Sequence, residues 1–284
     1  MKEPEFRKAP GDGADIQLAQ WPGKGETVFC IHGLTANCRC WDKIASVISP
    51  EHQVLAMDLR GRGFSDKPET GYSVDQHCRD IESVLRHLEL DRVVLMGHSL
   101  GAFIAAYFAA TRPEMAEKAI LVDGAGQLSS EQMNKVFEGI KLSLERLGKV
   151  FPDYENYVET LKKAPFFQSW SEYLDVYFQY ETQEANGGVR SRVYAGGIQE
   201  EITNLANIEI GDYYGRISCP VLILRATEGM MGPDDILLPQ DAAERMEKEI
   251  PSARRVDIAG SNHYSLIFED FESRDRAIRE FLSS

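Results

Sequence analysis

Short β-branched runs alternate along the chain with amphipathic stretches of helical period, the pattern of a mainly parallel sheet covered by helices. The runs predict strands at Ile16 to Ala19, Thr27 to Ile31, Val54 to Met57, Val93 to Met96, Ala119 to Val122, Val221 to Leu224 and Arg255 to Ile258. The clearest helix follows Ser73, whose hydroxyl can cap it while Gln76 reaches back in a capping box. Val74, Cys78, Ile81, Val84, Leu85 and Leu88 then recur at helical spacing and predict one face buried on the sheet. His77 and His87 lie on this helix without a nucleophile or ligand partner in sequence, and read as structural or solvated.

The alternation stops after Asp123-Gly124-Ala125-Gly126 and resumes only at Ser218-Cys219-Pro220-Val221. The intervening stretch, rich in helix formers and aromatics, predicts a helical cap inserted over the strand ends. The expected division is residues 1–126 for the first part of an α/β core, 127–216 for the cap and 217–284 for the second part. Phe166, Trp170 and Tyr173 share a helical face. In this aromatic-dense segment, Phe167 and Trp170 are the expected pocket residues.

Composition narrows the class. A chain of 284 residues, 43% hydrophobic and 27% charged, is globular and long enough for one α/β domain with an insertion. A net charge of −14 excludes a polyanionic partner such as nucleic acid, which needs an excess of lysine and arginine. Met1 to Pro10 has no apolar secretory core, and no apolar run approaches a membrane span. A soluble, cytoplasmic protein that does not act on a membrane is expected. The five cysteines, Cys30, Cys38, Cys40, Cys78 and Cys219, are scattered and odd in number, so they read as reduced thiols. Cys38-Arg39-Cys40 has no second pair at zinc-ligand spacing, and no metal is expected.

The chemistry is concentrated at Gly97-His98-Ser99-Leu100-Gly101. This segment follows the apolar run Val93 to Met96 directly and leads into the small, apolar stretch Ala102 to Ala110. Strand, Gly-x-Ser-x-Gly and helix in that order are the signature of a nucleophile elbow. Flanking glycines relieve crowding at so sharp a turn, and the helix N-terminus with the Leu100 amide faces developing negative charge. Ser99 is the candidate nucleophile.

Two further segments belong with the elbow: His32-Gly33 closes one strand, and Asp58-Leu59-Arg60-Gly61-Arg62-Gly63-Phe64-Ser65 follows the next. Together with a histidine near the C-terminus they resemble the α/β-hydrolase superfamily, in particular its cap-bearing esterases, lactonases and carbon–carbon bond hydrolases. The resemblance runs from Thr27 to the end, outside the cap, and implies an α/β-hydrolase fold. It also implies an oxyanion hole made by the amides of Leu34 and Leu100. The general base it implies is His263, in the loop Gly260-Ser261-Asn262-His263-Tyr264 after the last strand. His52 lacks that context, His32 reads as structural, and the His98 side chain is expected to point away from Ser99.

The triad acid departs from the commonest pattern, because Gly229 stands where the aspartate is usual. Asp123, at the end of the strand after the elbow, matches a minority arrangement. Glu228 and Asp235 remain alternatives. The resulting expectation is a serine hydrolase that needs no cofactor and cleaves a small to medium carboxylic ester or lactone through an acyl-enzyme. Hydrolysis of a carbon–carbon or amide bond in a ring-degradation intermediate is a second reading, and a slow-turnover ligand receptor on the same fold a third. Arg190, Arg192 and Arg225 are available to meet a substrate carboxylate. Haloalkane dehalogenase and epoxide hydrolase chemistry is disfavoured, since both need an aspartate where this chain has Ser99. The oligomeric state is left open.

Overall fold

A computed structural model of the chain describes residues 2–167 and 169–284. Its strands are β1 (Glu5–Pro10), β2 (Asp15–Trp21), β3 (Gly25–Ile31), β4 (His52–Met57), β5 (Val93–His98), β6 (Ala116–Val122), β7 (Thr182–Ala185), β8 (Gly188–Ser191), β9 (Val221–Ala226) and β10 (Ala253–Ile258). Eight of them form one sheet in the order β1-β2-β4-β3-β5-β6-β9-β10. From β4 through β10 the neighbours are parallel, while β2 runs antiparallel to both β4 and β1. This is the α/β-hydrolase fold that the strand pattern and motifs predict.

The sheet has two dry faces, and successive residues of each central strand serve opposite ones. Phe29, Ile31, Leu95 and Leu121 enter one apolar cluster with the helices Val74–His87 and Leu100–Thr111. Val28, Cys30, Met96 and Val122 enter the other, with the C-terminal helix Glu272–Leu282. Each such Val, Leu, Ile, Phe or Met side chain, fully buried, contributes about 1.5–3 kcal/mol. The Val74–His87 helix begins as expected, with Ser73 accepting from the Gln76 amide. The capping box is only half made: the Gln76 side chain turns to the Asp12 carboxylate at 3.0 Å.

Three strands, β1, β7 and β8, lie beyond the sequence expectation. β1 is an edge strand in which only Ala9 is buried, so its pairing with β2 rests on the backbone and leaves no apolar period. The stretch between β6 and β9 is mainly helical but also holds the β7–β8 hairpin, turned by Asn186 and Gly187, both at positive φ. Asn-Gly suits such a turn because both central residues must be left-handed. Among the described residues no helix is long and apolar enough to cross a membrane.

Candidate active site

Because six neighbouring strands are parallel, their C-terminal ends share one edge, and loops leaving that edge converge. Ser99 follows β5, Asp123 follows β6, Leu34 lies just past β3 and His263 just past β10. Ser99 has φ 58° and ψ −120°, a conformation that costs a non-glycine residue about 1–3 kcal/mol. The turn is held by hydrogen bonds from Ser99 N to the Val122 carbonyl (3.0 Å) and from Ala102 N to the Ser99 carbonyl (3.0 Å). A side chain at Gly101 would run into the Ile31 carbonyl, which explains a glycine there. A methyl at Gly33 would come within 3.1 Å of Ser99 Cβ, so the loop carrying Leu34 passes directly over the serine.

His263 Nδ1 lies 2.7 Å from Asp123 Oδ2, and Asp123 Oδ1 accepts from the Ala226 amide at 3.1 Å. Asp123 is fully buried. A carboxylate only accepts, so the imidazole proton sits on Nδ1 and the Nε2 lone pair is free. Ser99 and His263 line the same cavity. Of the other two carboxylates, Glu228 is exposed, and its amide donates to the Ser261 carbonyl at 2.8 Å. Asp235 accepts from the amides of Met230 (2.8 Å), Met231 (2.7 Å) and Gly232 (3.2 Å), closing its own loop. Neither reaches the histidine.

The histidine loop is braced in ways its sequence did not reveal. The Asn262 side-chain Oδ1 accepts from the backbone amides of Tyr264 and Ser265, and its Nδ2 donates to the Phe166 carbonyl at 3.2 Å. His98, expected to point away from Ser99, donates from Nε2 to the His263 carbonyl at 3.0 Å and stacks on the His263 ring at 4.3 Å. Burial and the neighbouring His263 hold its pKa well below the usual value, so it is a neutral donor. His32 accepts from the Leu59 amide through Nε2 (3.0 Å), leaving Nδ1–H for the Gly33 carbonyl at 2.7 Å. Its pKa falls to about 3, chiefly through burial.

Ser99 and His263 open into a cavity with about 140 Å³ of room for the centres of water-sized molecules. Its walls include Leu34, Phe103, Val136, Phe137, Ile202 and Leu205. Among the described residues the lining contains no Lys, Arg, Asp or Glu. Phe167 and Trp170 do not line it, which corrects the sequence expectation. Trp170 stacks on Phe178 with ring centres 5.4 Å apart and donates to Asp175 at 2.6 Å, while Phe167 packs on Phe166, Phe178 and Tyr264. These rings satisfy one another. The stretch between β6 and β9 lines it instead with one helical face, Met133, Val136, Phe137 and Ile140, at i, i+3, i+4 and i+7, a period that could have marked it, and with Ile202 and Leu205 further on.

Arg190, Arg192 and Arg225 are also absent from the lining. Arg225 donates to the Leu238 carbonyl, Arg192 covers the Phe64 ring at 4.0 Å, and Arg190 is exposed on β8. The charged residues after β4 are structural: Arg60 pairs with Asp80, and Asp58 accepts from the amides of Cys38 and Phe64. All five cysteines are free and buried, and burial pushes the thiols up.

The chain belongs to the α/β hydrolase fold family, whose model matches residues 26–270. It is similar to 2-(acetamidomethylene)succinate hydrolase of Mesorhizobium japonicum, with 24% identity over 242 residues, 85% of this chain and 83% of that protein. A serine hydrolase-like protein of Danio rerio is 26% identical over 297 residues, 98% of this chain and 88% of the other. Among solved structures, E-2-(acetamidomethylene)succinate hydrolase superposes with a TM-score of 0.87 at 22% identity, covering 99% of this chain and all (100%) of that one. The enol-lactonase from Burkholderia xenovorans LB400 gives a TM-score of 0.74 at 16% identity, covering 98% and 100%. At such identities the structures speak for the fold.

Proposed function

We propose that the chain is a serine hydrolase that cleaves an uncharged carboxylic ester or lactone of small to medium size through an acyl-enzyme on Ser99. In this reading His263 Nε2 takes the Ser99 proton as Oγ attacks the carbonyl carbon. The oxyanion is held by the amides of Leu34 and Leu100, each typically worth two to three orders of magnitude in rate. As the tetrahedral adduct collapses, the C–O bond to the leaving group breaks and the alkoxide takes the proton from His263. Water, deprotonated by His263, then attacks the acyl carbon, releasing the acid and returning the proton to Ser99. Asp123 holds the imidazole in the required tautomer and stabilises the imidazolium.

The observation that carries this reading is the 2.7 Å contact between His263 Nδ1 and the buried Asp123, beside Ser99 in one cavity wall. The uncharged substrate follows from the lining. The compound in one relative's name, 2-(acetamidomethylene)succinate, bears two carboxylates and an amide. Burying such charges demands cations, and the lining offers none among the described residues.

A fluorophosphonate probe and a series of p-nitrophenyl esters test both parts. The wild-type chain should take up one probe per molecule and turn over p-nitrophenyl butyrate. Ser99→Ala should lose both while melting within a few degrees of wild type. p-Nitrophenyl hemisuccinate should be cleaved at least about tenfold more slowly than the butyrate, a penalty of about 1.4 kcal/mol for an unpaired carboxylate. Labelling that persists in Ser99→Ala refutes the nucleophile, and equal rates on the two esters refute the substrate class.

A further inference from the structure

The loop that carries the Leu34 amide is held by two side chains. The peptide joining Gly33 to Leu34 is planar and trans, so its N–H points opposite to the Gly33 carbonyl. That carbonyl receives His32 Nδ1–H at 2.7 Å. The next carbonyl, that of Leu34, receives Arg62 Nε at 3.0 Å. With both peptide planes anchored, the direction of the Leu34 N–H is set from either side.

Arg62 is fully buried and has no freedom of its own. Nη1 donates to the Arg60 carbonyl at 2.9 Å, and Nη2 pairs with Glu201 Oε2. Glu201, also fully buried, sits on the helix Ala195–Leu205 of the insert. Its other oxygen meets His77 Nε2 at 2.7 Å. Burial pushes this carboxyl up, but His77 and Arg62 outweigh burial and hold its pKa at about 2, so the counter-charge persists. Ile202 and Leu205 of the same helix line the cavity. One helix thus touches the substrate space and supplies the counter-ion for the guanidinium that fixes the loop.

We propose that Glu201 is a positioning residue which, through Arg62, aims the Leu34 amide at the oxyanion, so that a seated insert is required for a competent site. The proposal rests on the serine-hydrolase reading. Without the carboxylate, a buried guanidinium must recruit water or swing away, and either movement releases the Leu34 carbonyl. The oxyanion interaction is made mainly in the transition state, so the loss falls on kcat rather than on KM.

Glu201→Gln, Arg62→Lys and His77→Gln separate this role from simple attachment of the insert. Arg62→Lys keeps the charge beside Glu201 but has one nitrogen where three contacts were made, so it carries the test even if Glu201→Gln does not fold. Each is assayed with p-nitrophenyl butyrate, with phenylboronic acid, whose adduct on Ser99 puts an oxygen in the hole, and by thermal melting. Glu201→Gln and Arg62→Lys should lower kcat by at least about tenfold with KM within about threefold, and weaken phenylboronic acid in parallel. His77→Gln leaves the Arg62 arm intact, so it should melt earlier while kcat stays within about threefold. Glu201→Gln or Arg62→Lys that melts earlier with kcat and boronate affinity unchanged overturns the proposal, and so does an equal loss of kcat in His77→Gln. Turnover that survives Ser99→Ala is a different result, because it removes the underlying serine-hydrolase reading.

Discussion

Asp123→Asn tests the candidate triad most severely, because the local geometry dictates how the asparagine must sit. Oδ1 of Asp123 accepts from the Ala226 amide at 3.1 Å and Oδ2 faces His263 Nδ1 at 2.7 Å. An asparagine has only one acceptor for these two positions. With its oxygen toward Ala226, its NH2 faces His263, drives the imidazole proton onto Nε2 and leaves Ser99 without a base. With the amide flipped, two donors oppose each other at Ala226, and a buried unsatisfied donor costs about 1–3 kcal/mol. The incompetent arrangement therefore dominates by about one to two orders of magnitude. Loss of the carboxylate that stabilises the imidazolium adds to this, and the equivalent change in a well-studied triad lowers kcat about 10⁴-fold. A fall of about 10³ to 10⁴ in kcat/KM, about 4–5.5 kcal/mol, is expected on p-nitrophenyl butyrate. The fluorophosphonate labelling rate should fall in step. Glu228→Gln should be neutral, and Asp235→Asn should lower the melting temperature more than the rate. An Asp123→Asn protein that keeps more than a tenth of wild-type kcat/KM, with Glu228→Gln or Asp235→Asn crippled instead, refutes the assignment.

Acid should destabilise the chain in a definite window. His32 and His98 are held neutral when folded but accept a proton near pH 6.5 when unfolded, so stability is intact above that pH and declines as pH falls toward 3. His32 alone contributes a loss of about 1.4 kcal/mol per pH unit, or about 2 kcal/mol by pH 5, and denaturant midpoints that do not shift between pH 7.5 and 5 would contradict it. Phe137→Ala should enlarge the cavity and raise the ratio of p-nitrophenyl octanoate to butyrate turnover severalfold, about 1–3 kcal/mol of discrimination being available from such contacts. Trp170→Phe should leave that ratio unchanged, and the opposite pattern would return the pocket to the aromatic cluster.

What could be read without coordinates was what sequence neighbours enforce. Val93 to Met96 must be a buried strand because four apolar residues run straight into a Gly-x-Ser-x-Gly turn, and both the strand and its elbow are there. β1 could not be read, since Glu5, Phe6, Arg7 and Lys8 are exposed along a sheet edge and only the backbone pairs them. The Asn186-Gly187 turn was visible in principle, but its flanks, Thr182–Ala185 and Gly188–Ser191, are too polar to alternate. The aromatic segment misled for a physical reason: rings bury most area against one another, and Phe166, Phe167, Trp170 and Phe178 do so. The cavity wall was left to positions such as Met133, Val136, Phe137 and Ile140, whose period is quieter.

Carboxylates are the hardest residues to assign from a sequence, because identical chemistry is sorted only by burial and by prior claims on the oxygens. Asp123, Glu228 and Asp235 all stand at strand ends or in the loops that follow, yet Asp235 is consumed by three amides and Glu228 faces solvent. The adjacent pair Glu200-Glu201 makes the same point within one helix. Glu200, only half-buried, accepts from the amides of Gly71 and Tyr72 where water can share the load. Glu201, one residue and about 100° further around the helix, is sealed against Arg62 and His77. No local pattern distinguishes them. A charge in water is nearly free, whereas a buried one is tolerated only when its partners are fixed in place. That requirement is what ties Arg62, Glu201 and His77 together, and the constraint extends to the Leu34 carbonyl through the hydrogen bond it receives from Arg62 Nε.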